Sequence, residues 1–476
     1  MTDHPLADRR WLALILLCLG ELMIVLDTTI VNVALPSIKA SLGFDETALA
    51  WVINAYMLTY GGFLLLGGRL GDLYGHRKVF LWGIGLFVLA SLACGVSTTR
   101  EVLVVSRAIQ GIGGAVVTAV ALSLIMDLFP EPGDRAKAMG AYGFVCAGGG
   151  SIGAMLGGVL TSALSWHWVF LVNLPIGALV IAWSLRLLPT SHTPPASRHL
   201  DVVGAVSITT ALMLAVYAVV GGREAGWLSL QTLGCGAAAV VLFVGFLVNE
   251  SRVQAPLVPL GLFRLRNLST SSVVGVFWCA SMFAWFFLSA LYLQLVLGYD
   301  PMKVGLAFLP ANVLMAVFSL GISARLVMRF GVRKPLVAGL VLATAGLLWF
   351  ARVPVDGNFL VDILPPMLLL GLGGGIAFNP VLMAAMSEVG PSDSGLASGV
   401  VNTAFMLGGA LGLAVLASIA AVASDHATGV SQAQALSAGY RVAFLIGAAF
   451  AALAAGVGAL WLREAAPSTG AAPAVH

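Results

Sequence analysis

Charged residues are scarce in this chain of 476 residues: Asp, Glu, Lys and Arg together make up 9% of it, while hydrophobic residues make up 59%. Soluble domains carry about 25% charged residues, so this composition excludes a soluble fold. The five cysteines all fall inside apolar stretches, and their spacing offers neither a disulfide framework nor a set of metal ligands. The composition therefore indicates an all-α, polytopic membrane protein.

Enzyme motifs are absent as well. The sequence contains no GxxxxGK[ST] loop that would cradle a nucleotide phosphate and no HExxH zinc motif. It also has no polar insertion long enough to hold a catalytic domain. We therefore expect no catalytic residue, no cofactor, no metal site and no nucleic-acid partner. Any transport must then draw its energy from an ion gradient.

Hydrophobic segments recur along the chain. A transmembrane helix needs ~20 mainly apolar residues, and the sequence offers about fourteen such segments. The first begins at Trp11, after Arg9 and Arg10, and is too long for a signal peptide. If the N-terminus is cytoplasmic, 17 of the 24 Lys and Arg residues fall in cytoplasmic loops or ends, as the positive-inside rule requires. An even number of spans then places the C-terminus in the cytoplasm too.

An internal repeat divides the chain. Residues 69–78 follow the second span and residues 325–334 follow the tenth, with matched spacing at an offset of 256 residues. A weaker echo pairs the glycines of 111–114 with those of 371–374. The offset is long for six helices, so we expect an inserted helix pair. The predicted organisation is an N-terminal six-helix bundle (1–188), a cytoplasmic linker (189–199), two inserted transmembrane helices (200–250), a cytoplasmic interfacial segment (251–269), a C-terminal six-helix bundle (270–463) and a disordered cytoplasmic tail (464–476).

Two carboxylates, Glu21 and Asp27, lie inside the first span. A charged side chain at bilayer depth costs about 2.5 to 3.5 kcal/mol on insertion scales, so both should face a protein interior or a wet cavity. Asp27 lies ~15 Å and Arg107 of the fourth span ~9 Å from the same membrane face, and a buried arginine needs an anionic partner. We expect them to pair, with Asp27 taking a proton when Arg107 moves away. A fixed ion pair is the alternative.

Glu21 lies nearer the middle of the membrane. Helical steps of about 100° bring Thr28 and Asn32 within ~20° of Glu21 and put Asp27 about 120° away. We therefore expect Glu21, Thr28 and Asn32 to line a cavity while Asp27 turns toward a neighbouring helix. Glu21 would be a second proton site or would attract a cationic substrate. The alternative is a protonated carboxyl that makes a hydrogen-bonded helix contact.

The loop after the second span, GGRLGDLYGHRK, combines glycines with charges of both signs. Glycines allow a tight turn, and the acid can pair with the bases or cap a helix N-terminus. We expect a conformational latch that breaks and re-forms as two halves rock; a charged loop at the membrane edge is the alternative. The predicted latch residues are Gly68, Asp72, Gly75, Arg77 and Lys78.

The fifth span is rich in small residues, which permit very close helix packing. We expect it to form a pivot where the halves meet, although packing alone explains the pattern equally well. The predicted pivot residues are Gly149, Gly153, Gly157 and Gly158.

Aromatic rings crowd the ninth span, and flat rings suit hydrophobic or cationic guests. Some of these rings must face lipid, so only part of the set can line a substrate cavity. The predicted cavity residues in the later spans are Phe283, Trp285, Phe286, Tyr292, Asn379 and Asn402.

Four motifs carry a family resemblance: LDTTIVNVALPSI in the first span, the loop motif at 68–78, RAIQG at 107–111 and WHWVFLVNLPIG at 166–177. They resemble the major facilitator superfamily and, within it, the fourteen-helix drug:proton antiporter-2 family. His76 and His167 depart from the family pattern by standing where arginine is usual, and Ala154 replaces a proline of the fifth-helix antiporter motif.

The resemblance implies a major facilitator fold of two six-helix bundles plus two extra helices. It also implies proton-coupled export of lipophilic, cationic drugs or toxic compounds by alternating access. We accordingly expect a monomer in a bacterial inner membrane, with small molecules, protons and the bilayer as partners. Export of an endogenous lipid or secondary metabolite is an alternative. A non-transporting membrane sensor or assembly subunit is another, but such a protein would not need the pair Asp27 and Arg107.

Overall fold

The computed structural model describes residues 5–129, 131–188, 201–253, 256, 258, 260–389, 394–427, 429 and 431–464. The predicted linker 189–199 lies outside these residues, as does the predicted tail beyond Glu464. The predicted interfacial segment 251–269 is described in part, and it includes a 3₁₀ helix at Leu260–Arg264.

Long α-helices follow one another along the described chain. In chain order they are α1 (Pro5–Leu42), α2 (Trp51–Tyr74), α3 (His76–Gly95), α4 (Arg100–Leu128), α5 (Pro132–Ala163), α6 (Asn173–Leu187), α7 (Val202–Ala225), α8 (Leu230–Arg252), α9 (Arg266–Leu291), α10 (Pro301–Val317), α11 (Arg333–Phe350), α12 (Leu364–Met386), α13 (Ser394–His426) and α14 (Gln432–Trp461). No strand occurs within the described residues. Eleven helical segments of the described chain are long and apolar enough to cross a membrane. The protein is therefore an all-helical, multi-pass membrane protein.

Polar residues at the loop ends start several of these helices. The side chains of Thr99, Asp201, Ser229 and Asp300 each accept a hydrogen bond from a backbone N–H in the first turn of the helix that follows. Ser431 begins α14 with a capping box. Such caps satisfy N–H groups that have no partner within the helix, which is why each helix begins where it does.

Three π-helical turns occur among the described residues of the second half of the chain. Tyr292–Val296 ends α9, and Phe359–Ile363 precedes α12. Phe318–Ile322 connects α10 to an eight-residue helix, Ser323–Phe330. A π turn adds one residue to a helical turn and so displaces the hydrogen-bonding ladder locally.

The helices form two groups with two seams between them. In the first group α2 and α3 pack on α4, while α5 and α6 pack on α1. In the second group α13 and α14 pack on α9, and α11 packs on α12. The groups meet where α2 contacts α13 and where α5 contacts α10. Helix α7 packs on α8 and lies against both α2 and α13, so it touches both groups at one seam.

The sequence repeat is visible in the backbone. Gly75 and Gly331, which are 256 positions apart, have φ angles of +93° and +76°, a region that residues with a Cβ rarely adopt. Each ends a helix in the same way, because its N–H donates to a carbonyl four residues earlier, at Gly71 and Val327, over 2.9 Å. Both loops therefore use a glycine at positive φ to end the preceding helix.

The second echo marks equivalent helix crossings. A Cβ at Gly113 of α4 would lie 2.7 Å from the backbone nitrogen of Phe87 in α3. A Cβ at Gly373 of α12 would lie at the same distance from the backbone nitrogen of Ala343 in α11. Only glycine permits such close backbone approach, so both groups bring an equivalent helix pair together through one small residue.

Candidate functional site

Asp27 and Arg107 meet in the interior of the first helix group. Their side chains are 0% and 1% exposed, and Nη1 of Arg107 lies 2.5 Å from Oδ2 of Asp27. The two residues come from α1 and α4, so the structure brings together the two charges that the sequence predicts to pair. Isolated charges at this depth would be costly, and the contact gives each a counter-ion.

Two amides complete the surroundings of Asp27. Nε2 of Gln110 donates to Oδ1 of Asp27 over 2.7 Å, and Nδ2 of Asn173 donates to the same atom over 2.9 Å. With Arg107, three donors therefore converge on one carboxyl group. An ionised carboxylate can only accept hydrogen bonds, so this arrangement fits the charged form of Asp27.

The amide and guanidinium groups are themselves held in place. Ser91 of α3 accepts a hydrogen bond from Gln110 over 2.8 Å. Nε of Arg107 donates to the carbonyl of Val52 in α2 over 2.9 Å, and its guanidinium carbon lies 4.3 Å from the centre of the Tyr56 ring. We call Asp27, Ser91, Arg107, Gln110 and Asn173 the Asp27 network. Together with these α2 contacts, the network joins α1, α2, α3, α4 and α6.

Sequence reasoning missed three members of this network. Gln110 and Asn173 stand inside two of the motifs that carry the family resemblance, yet neither was predicted as a site residue. Ser91 lies in an apolar stretch that carries no motif. The available signal was spacing, since Gln110 is three residues after Arg107 and therefore shares its face of α4.

Among the described residues, the second helix group shows no buried ion pair like that of Asp27 and Arg107. The loop repeat has an offset of 256 residues, which relates Asp27 to Phe283. The glycine echo has an offset of 260 residues, which relates Arg107 to Met367 and Gln110 to Leu370. Apolar side chains thus occupy the corresponding positions. Any chemistry of this acid belongs to one half of the molecule.

Glu21 is also buried, with 4% of its surface exposed. The hydroxyl of Thr118 in α4 donates to Oε2 of Glu21 over 2.9 Å, and Tyr142 of α5 lies close by. In this conformation Glu21 therefore contacts neighbouring helices rather than an open cavity. Asn32, on the face of α1 predicted to carry Glu21, is half-buried.

The aromatic cavity candidates fall into two sets. Trp285 and Tyr292 are fully buried; Trp285 packs against Phe286 and Phe308, and the Tyr292 hydroxyl donates to a backbone carbonyl over 2.6 Å. They form core contacts in this conformation. Phe283 and Phe286 are half-buried, and Phe283 lies beside Gly409 of α13, which also faces α2.

Asn379 of α12 lies beside the π turn that follows α10. Its amide donates to the carbonyl of Ser319 in the π turn. In return, the hydroxyl of Ser323 donates over 2.9 Å to the carbonyl of Ile376, whose usual helical partner is missing because Pro380 has no N–H. Helix α12 and the segment that follows α10 thus each satisfy a backbone carbonyl of the other. The remaining amide candidate, Asn402 of α13, is half-buried.

The predicted latch is described in part. Gly75 makes the turn, Arg77 donates to the carbonyl of Leu185 at the end of α6 over 2.6 Å, and Lys78 is exposed. Gly68 lies against α4, and the side chain of Asp72 lies outside the described part of the structure. His76 pairs with Asp127 at the end of α4 over 2.8 Å, an acid that the sequence did not single out.

The four predicted pivot glycines face two different helices. Gly149, Gly153 and Gly157 lie against α1, within one helix group. Gly158 lies against α10 of the other group, where a Cβ would come within 2.7 Å of the carbonyl oxygen of Pro301. Of these four residues, Gly158 is the one placed at a seam between the groups.

Comparison with known proteins assigns the family. The Major Facilitator Superfamily profile matches residues 17–413. The chain is 39% identical to the puromycin resistance protein pur8 of Streptomyces alboniger over 427 residues, covering 88% of this chain and 84% of that protein. It is 38% identical to the cephamycin export protein CmcT of Amycolatopsis lactamdurans over 410 residues, covering 86% and 84%.

The chain belongs to the major facilitator superfamily. It is therefore a transporter and not an enzyme. The fold agrees: the solved structure of the POT family transporter PepTSo superposes with a TM-score of 0.70 at 16% identity, covering 94% of this chain and 97% of that one.

The two helix groups of this major facilitator protein are joined by hydrogen bonds near one end. We call the end where α5 ends and α10 begins the distal face, and the opposite end, where α1 begins and α14 ends, the terminal face. At the distal face the backbone N–H of Met302 donates to the hydroxyl of Ser162 over 3.2 Å. Nearer the centre, Gln294 donates to the carbonyl of Val33 over 3.0 Å. Both hydrogen bonds join the two helix groups.

Proposed function

We propose that this protein is a proton-coupled exporter of lipophilic compounds that works by alternating access. The observation that carries the proposal is Asp27, a buried carboxylate held by Arg107 and two amides. A buried acid of this kind in a membrane span is a functional-site candidate by default. Its contacts fit one charge state, so losing or gaining a proton must rearrange them.

The names of the relatives support export of antibiotic-like compounds. One is described as a puromycin resistance protein and another as a cephamycin export protein. We propose drugs or toxic compounds as the substrate class, and cationic ones in particular because Glu21 is a second buried acid in α1. The same names also favour the second candidate, export of a secondary metabolite made by the cell itself.

We further propose the fourteen-helix plan of the drug:proton antiporter-2 family. It consists of a six-helix bundle at 1–188, an inserted pair at 200–250 and a second bundle at 270–463. The excess of Lys and Arg in the loops of one side supports a cytoplasmic terminal face, with both chain ends there. The protein would act as a monomer in a bacterial inner membrane.

The proposed cycle begins with the distal face open to the outside. Asp27 takes a proton from there as substrate leaves, and the neutral carboxyl loosens its contact with Arg107. The protein then closes at the distal face, opens toward the cytoplasm, releases the proton and binds the next substrate. A charge moved inward supplies about 2.3 kcal/mol per 100 mV of membrane potential, and each pH unit supplies about 1.4 kcal/mol. The hydrogen bonds across the distal face and the contacts of ionised Asp27 fit the stage after proton release.

The proposal is tested by measuring efflux of a fluorescent lipophilic cation from cells that express the protein. Asp27→Asn should abolish export that an uncoupler inhibits in the wild type, because an amide cannot exchange the proton. Glu21→Gln tests the second acid in the same assay. Glu101→Gln is the matched control, since Glu101 is an exposed acid paired with Arg100 on the distal side.

The role of Asp27 would be refuted if Asp27→Asn exported at the wild-type rate in an uncoupler-sensitive manner. The comparison requires equal amounts of the two proteins in the membrane. Wild-type protein that exports none of a panel of drugs and metabolites would instead favour the sensor or assembly alternative. Export of metabolites without export of drugs would favour the second candidate.

A further inference from the structure

A cavity of about 440 Å³ opens on the outside of the bundle, where α11 ends near the distal face. Its volume falls in the range of ~300 to 1,000 Å³ that is typical of ligand pockets. The lining residues are Ala345, Leu348, Trp349, Arg352, Val353 and Asp362. Four of them, at positions 345, 348, 349 and 352, have the spacing of one helix face. The cavity is therefore a groove along α11 and its end, bounded on one side by the start of α12.

The groove is apolar at one end and charged at the other. Leu348 and Trp349 are 43% and 45% exposed, and they belong to a segment, Arg333–Phe350, that is apolar and long enough to cross the membrane. Arg352 lies just beyond that segment. Tryptophan favours the boundary between hydrocarbon and headgroups, so the groove passes from the hydrocarbon region to the headgroup region.

Two opposite charges share the charged end. Arg352 and Asp362 both line the cavity, yet they are not among the ion pairs formed between described residues. Oδ2 of Asp362 accepts a hydrogen bond from the backbone of Asn358 over 2.8 Å. Its second oxygen and the guanidinium are both available to a ligand that carries charges of both signs.

The loop that closes the groove is held in position. The hydroxyl of Tyr292 donates to the carbonyl of Pro354 over 2.6 Å. Asn358 accepts a hydrogen bond from the backbone of Leu360 over 2.9 Å, which caps the helical turn that carries Asp362. These contacts fix the charged end before any ligand arrives, as is usual for binding sites.

We propose that this groove binds one phospholipid with a zwitterionic, primary-amine headgroup, such as phosphatidylethanolamine. The guanidinium of Arg352 holds the phosphate, and the ammonium group donates to Asp362. An acyl chain lies along Ala345, Leu348 and Trp349. A choline headgroup has no N–H to donate, and a glycerol headgroup brings no positive charge to the carboxylate, so both bind more weakly. This inference is independent of the proposed transport cycle.

Native mass spectrometry of the purified, delipidated protein tests the site. Phosphatidylethanolamine, phosphatidylcholine and phosphatidylglycerol with the same acyl chains are titrated separately. We expect one high-affinity phosphatidylethanolamine per chain. Arg352→Gln and Asp362→Asn should each weaken it roughly ten- to a hundredfold, the loss expected for one charged hydrogen bond. Ala345→Phe, which fills the apolar part without changing charge, should weaken it as well.

Arg100→Gln is the matched control, because Arg100 is an exposed arginine near the distal face that pairs with Glu101 and does not line the groove. Unchanged phosphatidylethanolamine binding in both charge variants would overturn the proposal. So would equal affinity for all three lipids. Competition by acyl-free glycerophosphoethanolamine at the same concentration as the lipid would overturn the role given to the apolar wall.

Discussion

The coupling between Asp27 and Arg107 can be measured by removing each charge alone and then both. Asp27→Asn leaves the guanidinium of Arg107 buried without an anion, and Arg107→Gln leaves the carboxylate without a cation. Removing one partner of a buried ion pair costs ~3 to 5 kcal/mol. In Asp27→Asn the guanidinium keeps its contacts with Val52 at 2.9 Å and Gln110 at 2.7 Å. We therefore expect a loss near the lower end, about 3 kcal/mol.

The double variant Asp27→Asn/Arg107→Gln should be more stable than the sum of the single losses predicts, because it leaves no unpaired charge in the interior. Interaction energies between residues in direct contact reach ~3 kcal/mol. Unfolding of the purified proteins in detergent, followed by circular dichroism, gives the three values. Glu101→Gln serves again as the control at an exposed pair. Additive losses in the double variant would refute the reasoning, since they would mean that the two side chains do not interact.

Two further predictions concern the second helix group and its seam. Gly158→Ala places a methyl group 2.7 Å from the carbonyl oxygen of Pro301. Such overpacking costs ~1 to 3 kcal/mol. Spin-label distances across the distal face should therefore shift toward an open state. Gly85→Ala, where the added methyl meets no atom within 4 Å, is the control, and identical distances in both variants would contradict the prediction. Asn379→Ala leaves the buried carbonyl of Ser319 without its side-chain donor. The loss should destabilise the fold by ~1 to 3 kcal/mol and lower the melting temperature. An unchanged melting temperature would show that this hydrogen bond does not contribute to stability.

The contact between the two buried, oppositely charged side chains could be predicted from the sequence. A carboxylate and a guanidinium at similar depth in two apolar spans require each other, and Asp27 and Arg107 are in contact. Composition alone was enough to predict an all-helical membrane protein. The repeat of glycine turns was also visible in the sequence, because Gly75 and Gly331 occupy a backbone region that strongly favours glycine.

The neutral side chains could not be placed in the same way. Asn173 and Gln110 carry no charge that needs neutralising. The cost of burying a charge therefore could not predict that they contact Asp27. The cavity predictions met a different limit: helices that are apolar all round give no periodicity from which a face can be read. Trp285 therefore could not be distinguished from half-buried Phe283 by sequence. Small-residue spacing likewise indicated close packing of α5 but not its partner, and Gly153 faces α1.

The central claim is that substrate binding and the proton on Asp27 exclude each other. It is tested most directly by adding a transported compound to the purified protein in weakly buffered detergent and measuring the protons released. When the measurement starts at a pH at which Asp27 is protonated, binding at the cytoplasm-facing site should by linkage release up to about one proton per chain from the wild type. Asp27→Asn should bind the compound and release none. Release from Asp27→Asn equal to that from the wild type would contradict the claim.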